Sequence, residues 1–277
     1  MSATLEPLDV FAEVTGLRHL EREEDRPVVE RTYGLDFPAE NRESFAVDAP
    51  KFTHDNRGGP GEQNQTRQTY SDAITEVARS PGNVLVGMPN YAEAEWAAAA
   101  LRERVDKPVL IDESSGDDAT EDLKDDFFAG ESKVLVTSLR GTLTEGVDYR
   151  GDKLRAAVVC GVPIINTASP RTRAVRTAYD REFGDVPASN ASGGSQGGSR
   201  GGFEYALTIP AVRKARQAVG RVIRGPEEVG ARVFVDERYA RDSWDSVREY
   251  FPENDEFQPV SPDMLSLGLE RFWSSVD

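Results

Sequence analysis

The sequence has 277 residues, of which 38% are hydrophobic, and it carries a formal net charge of −16. No apolar run approaches the roughly 20 residues that span a bilayer, and the first residues lack a signal-peptide pattern, so we expect a cytoplasmic protein without a membrane partner. The single cysteine, Cys160, excludes a disulfide framework and an iron–sulfur cluster held by this chain alone. Cys160 lies in an apolar run, which predicts a buried structural thiol.

The acidic composition has two interpretations. Acidic surfaces keep proteins hydrated in a salt-rich cytoplasm, so the composition is typical of a halophile, such as a halophilic archaeon; the alternative is an ordinary acidic protein. DNA-binding proteins usually carry a net positive charge. At molar salt, however, the Debye length is about 3 Å and the release of counterions contributes little to binding. The net charge therefore neither excludes nor indicates a nucleic-acid partner.

Short apolar runs alternate with amphipathic stretches along most of the chain. This alternation of strands with helices predicts an α/β fold with a parallel sheet that helices cover on both faces. A Gly/Ser-rich stretch at 188–202 cannot form part of a core and is predicted to be a flexible insert. The predicted strands are 84–88, 109–111, 134–136, 156–161 and 232–235. The predicted helices are 91–105, 119–129, 170–183, 211–222 and 244–250.

The first candidate site residues lie on the predicted helix that starts at Ala211. Gln217, Gly220, Arg221 and Arg224 are spaced so that they share one face or adjacent faces of that helix. Arginine offers a planar fork to phosphate oxygens, stays charged at any working pH, and stabilises the charge on a transferred phosphoryl group. The pattern therefore predicts phosphate contacts, with a solvated basic helix face as the alternative.

The second set of candidates, at 144–148, follows the predicted strand 134–136. Ligands of open α/β folds bind at the carboxyl ends of parallel strands. Glu145 and Asp148 can there orient a ribose hydroxyl, a water or the arginines, and backbone groups around Gly146 can contact a nucleic-acid phosphate. The alternative is a plain acidic turn.

These two stretches and two others resemble, in their order, the motifs of superfamily 2 DNA helicases of the Rad3/XPD and DinG type. The octet 217–224 is followed by an acidic turn, a glycine, a strand and an Asp-x-Arg that ends at Arg238, as in the last helicase motif. The stretch 138–163 is similar to motif V through its Glu-Gly-Val-Asp core. Residues 2–5, Ser-Ala-Thr-Leu, resemble motif III, and residues 83–91 resemble motif IV. The resemblance covers nearly the whole chain.

The resemblance implies that the chain has a RecA-like fold and is the second motor domain of an ATP-dependent DNA helicase. ATP with Mg²⁺ would bind between two motor domains, and its hydrolysis would drive translocation on single-stranded DNA, in DNA repair. Arg221 and Arg224 would contact the terminal phosphates. The remaining nucleotide-linked residues are Gln217, Gly220, Glu145, Gly146 and Asp148. The residues implied at single-stranded DNA are Asn90, Tyr91, Thr144, Arg171, Arg173 and Arg176, with solvated surface as the alternative for the three arginines.

Parts of the family's nucleotide site have no counterpart in this sequence. There is no Gly-x-x-x-x-Gly-Lys-(Ser/Thr) loop. The apolar run that ends in Asp112 and Glu113 looks like a magnesium-binding box, but it follows motif IV, so we interpret it as the end of a core strand and predict no metal site. We expect the phosphate loop, most Mg²⁺ ligands and the family's iron–sulfur cysteines on a first RecA-like domain, encoded upstream or on a separate chain. A truncated gene, a fragment or a mis-assigned start codon is the expected explanation, ahead of a split helicase.

The predicted organisation has three parts. Residues 1–57 are the motif III tail and a connecting segment, residues 71–241 are the second RecA-like domain, and residues 242–277 are a C-terminal extension. Alone, such a chain is expected to be inactive as an ATP hydrolase. Two alternatives are a non-catalytic DNA- or partner-binding remnant of a helicase and an unrelated sugar- or nucleotide-binding α/β domain; a remnant has no need to keep both arginines.

Overall fold

The computed structural model describes residues 5, 8–24, 26–31, 38–59, 61–113, 117–144, 149, 153–183, 201–223, 225–251 and 255–276. The chain divides into two compact units, Met1–Phe37 and Pro38–Asp277. The first unit contains two short helices, α1 (Leu8–Val14) and α2 (Leu17–Glu23). Residues 2–4 of the predicted motif III lie outside the described residues.

The second unit is built on a seven-stranded sheet in which the paired strands are parallel. Its strands are β1 (Arg42–Val47), β2 (Val84–Met88), β3 (Val109–Ile111), β4 (Val134–Ser138), β5 (Ala156–Cys160), β6 (Gly230–Val235) and β7 (Gln258–Val260). They lie in the order β3-β4-β2-β5-β6-β1-β7. Because they are parallel, their C-terminal ends lie at one edge of the sheet, which we call the carboxyl edge.

Eight helices of the second unit occur among the described residues. They are α3 (His54–Arg57), α4 (Gln65–Ala78), α5 (Tyr91–Arg102), α6 (Asp117–Phe128), α7 (Pro170–Phe183), α8 (Ile209–Val219), α9 (Glu237–Ala240) and α10 (Leu265–Val276). A π-helical segment, Glu204–Thr208, leads directly into α8.

Successive residues of a strand point to opposite faces of the sheet, so burial of neighbouring residues shows that both faces are covered. On one face, Val86 and Val158 belong to a core cluster that includes side chains of α4, α5 and α10. Their neighbours Leu85 and Val159 are equally buried on the other face, where α8 packs against β5. Burial on both faces explains why these strands are continuous apolar runs. The predicted α/β fold with a covered parallel sheet is confirmed.

The sheet extends past both predicted domain boundaries, so the range 71–241 is too narrow. β1 lies between β6 and β7 and pairs with β6 along its whole length. β1 begins with charged residues and β7 contains Pro259, so neither is an apolar run that a sequence pattern detects. Helix α10 also packs into the core through Leu265, Leu269, Phe272 and Trp273. Residues 38–57 and 258–276 are therefore integral to the domain.

The predicted helix 244–250 and the predicted insert 188–202 differ in outcome. The predicted helix 244–250 is only a 3₁₀ turn, Arg248–Tyr250. The chain turns instead at Ser243, whose carbonyl accepts from the Ser246 N–H at 2.9 Å, and it folds back so that the Val247 N–H donates to the Arg238 carbonyl. Of the predicted insert 188–202, only residues 201 and 202 are described.

Cys160 ends β5 and is fully buried, as predicted for a structural thiol. Loss of solvent, with a smaller effect from the charge of Asp236, raises the pKa of this thiol well above its ordinary range. The thiol therefore stays protonated and unreactive in the folded protein. No helix within the described ranges is both long enough and apolar enough to cross a membrane.

Candidate functional site

Asn90 and Tyr91 follow β2 at the carboxyl edge of the sheet. The Asn90 side chain caps α5, because its Oδ1 accepts from the Glu93 N–H at 3.1 Å. The N-terminal end of α5, with its partial positive charge, therefore lies at this edge. Tyr91 is the first residue of the helix and is half-buried.

The phenol of Tyr91 lies close to Gly141, in the loop that follows β4. A Cβ atom placed on Gly141 would lie 3.1 Å from the Tyr91 Oη and 2.7 Å from the Asp112 Oδ2. A side chain here would force the Asp112 carboxylate to shift and would crowd the Tyr91 hydroxyl. Asp112 follows β3 and is buried, and its Oδ2 accepts from the Thr137 hydroxyl at 2.8 Å. The loops after β2, β3 and β4 thus meet at Gly141.

Arg221 joins the end of α8 to the loop after β4. Its Nε donates to the Thr144 carbonyl at 2.6 Å, and its guanidinium carbon lies 5.9 Å from the centre of the Tyr149 ring. The arginine is only 6% exposed. These contacts bring together two sequence stretches that are 77 residues apart. Two of the predicted site residues, Thr144 and Arg221, are therefore in direct contact.

Gln217 and Gly220 lie on the same segment as Arg221. Gln217 is half-buried in the last turn of α8, and Gly220 is the exposed residue that caps it. A Cβ atom on Gly220 would lie 2.8 Å from the Arg216 carbonyl oxygen, so glycine permits the tight exit that leads to Arg221. Four further predicted site residues lie outside the described residues: Glu145, Gly146, Asp148 and Arg224.

The three arginines predicted at single-stranded DNA are exposed on α7. Arg171 and Arg173 lie in the first turn of the helix. Arg176 forms an ion pair with Asp180 at 3.7 Å, and its guanidinium carbon lies 5.7 Å from the Phe203 ring centre. Their exposure is compatible with a nucleic-acid surface and with solvated surface alike.

A buried ion pair lies directly after β6. Asp236 is fully buried and accepts from Arg238 through Nε and Nη2, each at 2.7 Å. It also accepts from the Phe52 N–H at 3.2 Å, which fastens the segment after β1. Burial acts to lower the pKa of Arg238, but the hydrogen bond and charge of Asp236 outweigh it and raise that pKa. The Asp-x-Arg pattern was the sequence signal for this pair.

A second buried cluster fixes the first turn of α5. Glu93 forms ion pairs with Arg57 at 2.8 Å and with Arg67 at 3.0 Å. Arg67 is fully buried and its guanidinium carbon lies 4.7 Å from the Trp96 ring centre. No sequence pattern indicates this cluster, because its members come from separate helices with unrelated spacing.

No group of three or more His, Cys, Asp or Glu residues that could hold a metal ion occurs in the part of the chain that the structure describes. The two acidic residues after β3 differ in exposure: Asp112 is buried and Glu113 is exposed. Asp112 therefore ends a strand, at the sheet edge, with its carboxylate turned into the protein.

Comparisons with known proteins agree on one family. The sequence model described as "Helicase C-terminal domain" matches residues 74–254. The XPD helicase subunit of the general transcription and DNA repair factor IIH from Schizosaccharomyces pombe is 25% identical over 251 residues, which covers 87% of this chain and 30% of that protein. The same subunit from Dictyostelium discoideum is 28% identical over 185 residues, which covers 63% of this chain and 22% of that protein. The chain thus spans less than a third of the length of these relatives.

Two solved structures share this fold. An apo structure of XPD superposes with a TM-score of 0.54 at 19% identity, covering 87% of this chain and 42% of that chain. A variant of Dbp5 from S. cerevisiae, bound to RNA and ADP BeF3, superposes with a TM-score of 0.52 at 15% identity, covering 97% of this chain and 53% of that chain. The seven-stranded sheet and its helices have the RecA-like fold of helicase C-terminal domains.

Proposed function

Because this chain belongs to the helicase C-terminal domain family, in superfamily 2 helicases of the Rad3/XPD and DinG type, we propose that it is the second motor domain of an ATP-dependent DNA helicase. ATP would bind between this chain and a first RecA-like domain, and hydrolysis would drive movement along single-stranded DNA. The XPD relatives are helicase subunits of a transcription and DNA repair factor. By analogy, we propose a role in DNA repair.

The observation that carries the proposal is the contact between Arg221 and Thr144. The Nε–carbonyl hydrogen bond of 2.6 Å fixes the orientation of a nearly buried guanidinium. An arginine held in this way is prepared to meet phosphate charge without reorganisation, and its contacts are stronger where water is excluded. We assign Arg221 and its neighbour Arg224 to the terminal phosphates of ATP, with Gln217 and Gly220 shaping the approach.

The same contact supports a link between nucleotide and DNA. Thr144 lies in the loop after β4, and Asn90 and Tyr91 begin α5 at the carboxyl edge beside that loop. Single-stranded DNA would follow this edge, where aromatic rings can stack on bases and helix ends can meet phosphates. Glu145, Gly146 and Asp148 would stand between the two ligands. The exposed arginines Arg171, Arg173 and Arg176 extend the DNA surface in this proposal.

Mg²⁺ bound with ATP would neutralise charge that develops on the phosphates. We assign its ligands, together with the phosphate loop, to the first motor domain, which is the partner that this function requires. A family iron–sulfur cluster belongs outside this chain as well, because Cys160 is the only cysteine of the sequence and is buried. The chain alone is then inactive as an ATP hydrolase.

The test uses a protein in which this chain is joined to the first motor domain of an XPD-type relative. We expect Arg221→Ala to lower ATP turnover stimulated by single-stranded DNA by about 100-fold or more, the effect typical of removing a charge-stabilising donor. Arg221→Lys keeps the charge but loses the planar fork, so it should also lower turnover. Arg79→Ala is the control, since Arg79 is exposed and its guanidinium pairs with the neighbouring Glu76.

Two outcomes count against the proposal. If the unmodified joined protein hydrolyses ATP and Arg221→Ala stays within twofold of it, Arg221 has no role at the phosphates. If the unmodified joined protein binds single-stranded DNA but hydrolyses no ATP, the chain is better explained as a non-catalytic DNA-binding module.

A further inference from the structure

Asp112 is a buried carboxylate that the contacts with ATP and DNA do not require. Only 3% of the residue is exposed. Its backbone N–H donates to the Val136 carbonyl at 2.9 Å, which continues the ladder between β3 and β4 and holds the residue beside β4. Burying a carboxylate costs free energy unless hydrogen bonds replace its water. The groups around Asp112 therefore indicate what it holds in place.

The carboxylate of Asp112 contacts both the end of β4 and the loop that follows it. The hydroxyl of Thr137, the penultimate residue of β4, donates to Oδ2 at 2.8 Å. Gly141 packs against the same oxygen so closely that a Cβ atom would lie 2.7 Å from it. The Tyr91 hydroxyl approaches Gly141 as well, 3.1 Å from the same Cβ position. A residue of the proposed DNA surface and a buried carboxylate thus meet the loop at one glycine.

From Gly141 the contacts continue to the arginine. The Thr144 hydroxyl donates to the Gly141 carbonyl at 2.8 Å, and the Thr144 N–H donates to the same oxygen at 3.4 Å. The Thr144 carbonyl in turn accepts from the Arg221 Nε at 2.6 Å. Displacement of Gly141 would therefore move the acceptor that orients Arg221.

We propose that Asp112 is a positioning residue that couples single-stranded DNA at Tyr91 to the orientation of Arg221. It does so by holding the loop 139–144 in place. The inference rests on the proposed function. Asp112 touches neither ATP nor DNA; it acts through Gly141 and Thr144. The Asp112 carboxylate accepts from the Thr137 hydroxyl and lies against Gly141.

The first test is a comparison of two neighbouring acidic residues in the joined two-domain protein. Asp112→Asn keeps the shape and one acceptor but removes the charge, whereas Glu113→Gln makes the same chemical change at an exposed side chain. We expect Asp112→Asn to lower the ratio of DNA-stimulated to unstimulated turnover by at least about fivefold, the lower limit of a typical coupling between sites. In Asp112→Asn the KM for ATP should stay within twofold of its value in the unmodified protein. The turnover ratio of Glu113→Gln should likewise stay within twofold of the unmodified ratio. Equal ratios in the two variants would overturn the proposal.

The second test asks whether Asp112 and Gly141 act together. Gly141→Ala introduces a methyl group against the Asp112 Oδ2, so it should lower the same ratio. In an Asp112→Ala background that obstacle is gone, and Gly141→Ala should have a smaller effect, although the Ser138 carbonyl and the Tyr91 hydroxyl, each at 3.1 Å, remain. Strictly additive effects of the two substitutions would contradict a shared action.

A third measurement separates failure of this inference from failure of the proposed function. Amide hydrogen exchange of residues 139–144 in the 277-residue chain needs no ATP turnover. We expect exchange in this loop to be at least about tenfold faster in Asp112→Asn than in Glu113→Gln, since the loop loses its support. Unchanged exchange overturns the positioning role of Asp112, whether or not the joined protein hydrolyses ATP. Absence of turnover in the unmodified joined protein bears only on the proposed function.

Discussion

Asp236 and Arg238 form a buried ion pair at the carboxyl edge of the sheet. Asp236 accepts from both Nε and Nη2 of Arg238 and from the Phe52 N–H, so its carboxylate connects β6 with the segment after β1. A buried ion pair of this kind contributes modestly to net stability, but removal of one partner leaves an uncompensated charge. The pair therefore matters most for holding the two segments together.

We predict that Asp236→Ala destabilises the protein by about 3–5 kcal/mol, because Arg238 would remain charged and without its carboxylate in a mostly buried position. Urea unfolding followed by tryptophan fluorescence measures the change. Asp263→Ala is the matched control, since Asp263 is an exposed carboxylate whose loss should have little effect. A cost below about 1 kcal/mol for Asp236→Ala would show that the pair is dispensable.

At the scale of residues, the sequence predicts what is local and misses what is distant. The spacing of Gln217, Gly220 and Arg221 on one helix end can be recognised from eight consecutive letters. Arg221 contacts Thr144, 77 residues away, and no periodicity relates the two. The Arg67–Glu93 pair likewise depends on how α4 packs against α5. Which predicted residues touch each other therefore becomes visible only in the folded chain.

Among the elements, strands buried on both faces were the easiest to predict. β2 has the predicted bounds, because its continuous apolar run is buried. β3 also has the predicted bounds, although it lies at the sheet edge and is only half-buried. β1 was missed because its first half carries polar residues whose partners lie elsewhere in the fold. Ser44, for example, accepts from the Arg232 guanidinium of β6. β7 was missed because it lies at the sheet edge, where Pro259 is tolerated.

Helix α10 offers a test of the corrected domain boundary. Leu269 is 4% exposed in the core, whereas Leu267 on the same helix is 55% exposed. We predict that Leu269→Ala costs about 2–5 kcal/mol of unfolding free energy, as expected for a cavity in a packed core. Leu267→Ala should change it by less than about 0.5 kcal/mol. If urea unfolding gives equal, small changes for both, α10 is a peripheral extension after all.

The whole molecule combines a helicase fold with an acidic composition. At a net charge of −16, the folded chain is destabilised by repulsion between its own carboxylates. The proposed DNA contacts therefore depend on the local arrangement of Tyr91 and the arginines rather than on the overall field. The halophilic origin remains a prediction from composition.

We predict that the thermal midpoint of unfolding rises between 0.1 M and 1 M KCl. Over this range the Debye length falls from about 10 Å to about 3 Å, so repulsion between exposed carboxylates is screened. Circular dichroism at several KCl concentrations measures the midpoint. A midpoint that is unchanged or lower at 1 M would contradict adaptation to a salt-rich cytoplasm.

The central claim is that this chain supplies half of a helicase motor. Its most direct test is ATP hydrolysis by the 277-residue chain in molar KCl, with and without single-stranded DNA, before and after a first motor domain from an XPD-type relative is added as a separate chain. The account predicts no turnover by the chain alone and DNA-dependent turnover once the first domain is present. DNA-stimulated turnover by the chain alone, lost in Arg221→Ala, would contradict it and reveal a complete nucleotide site within these residues.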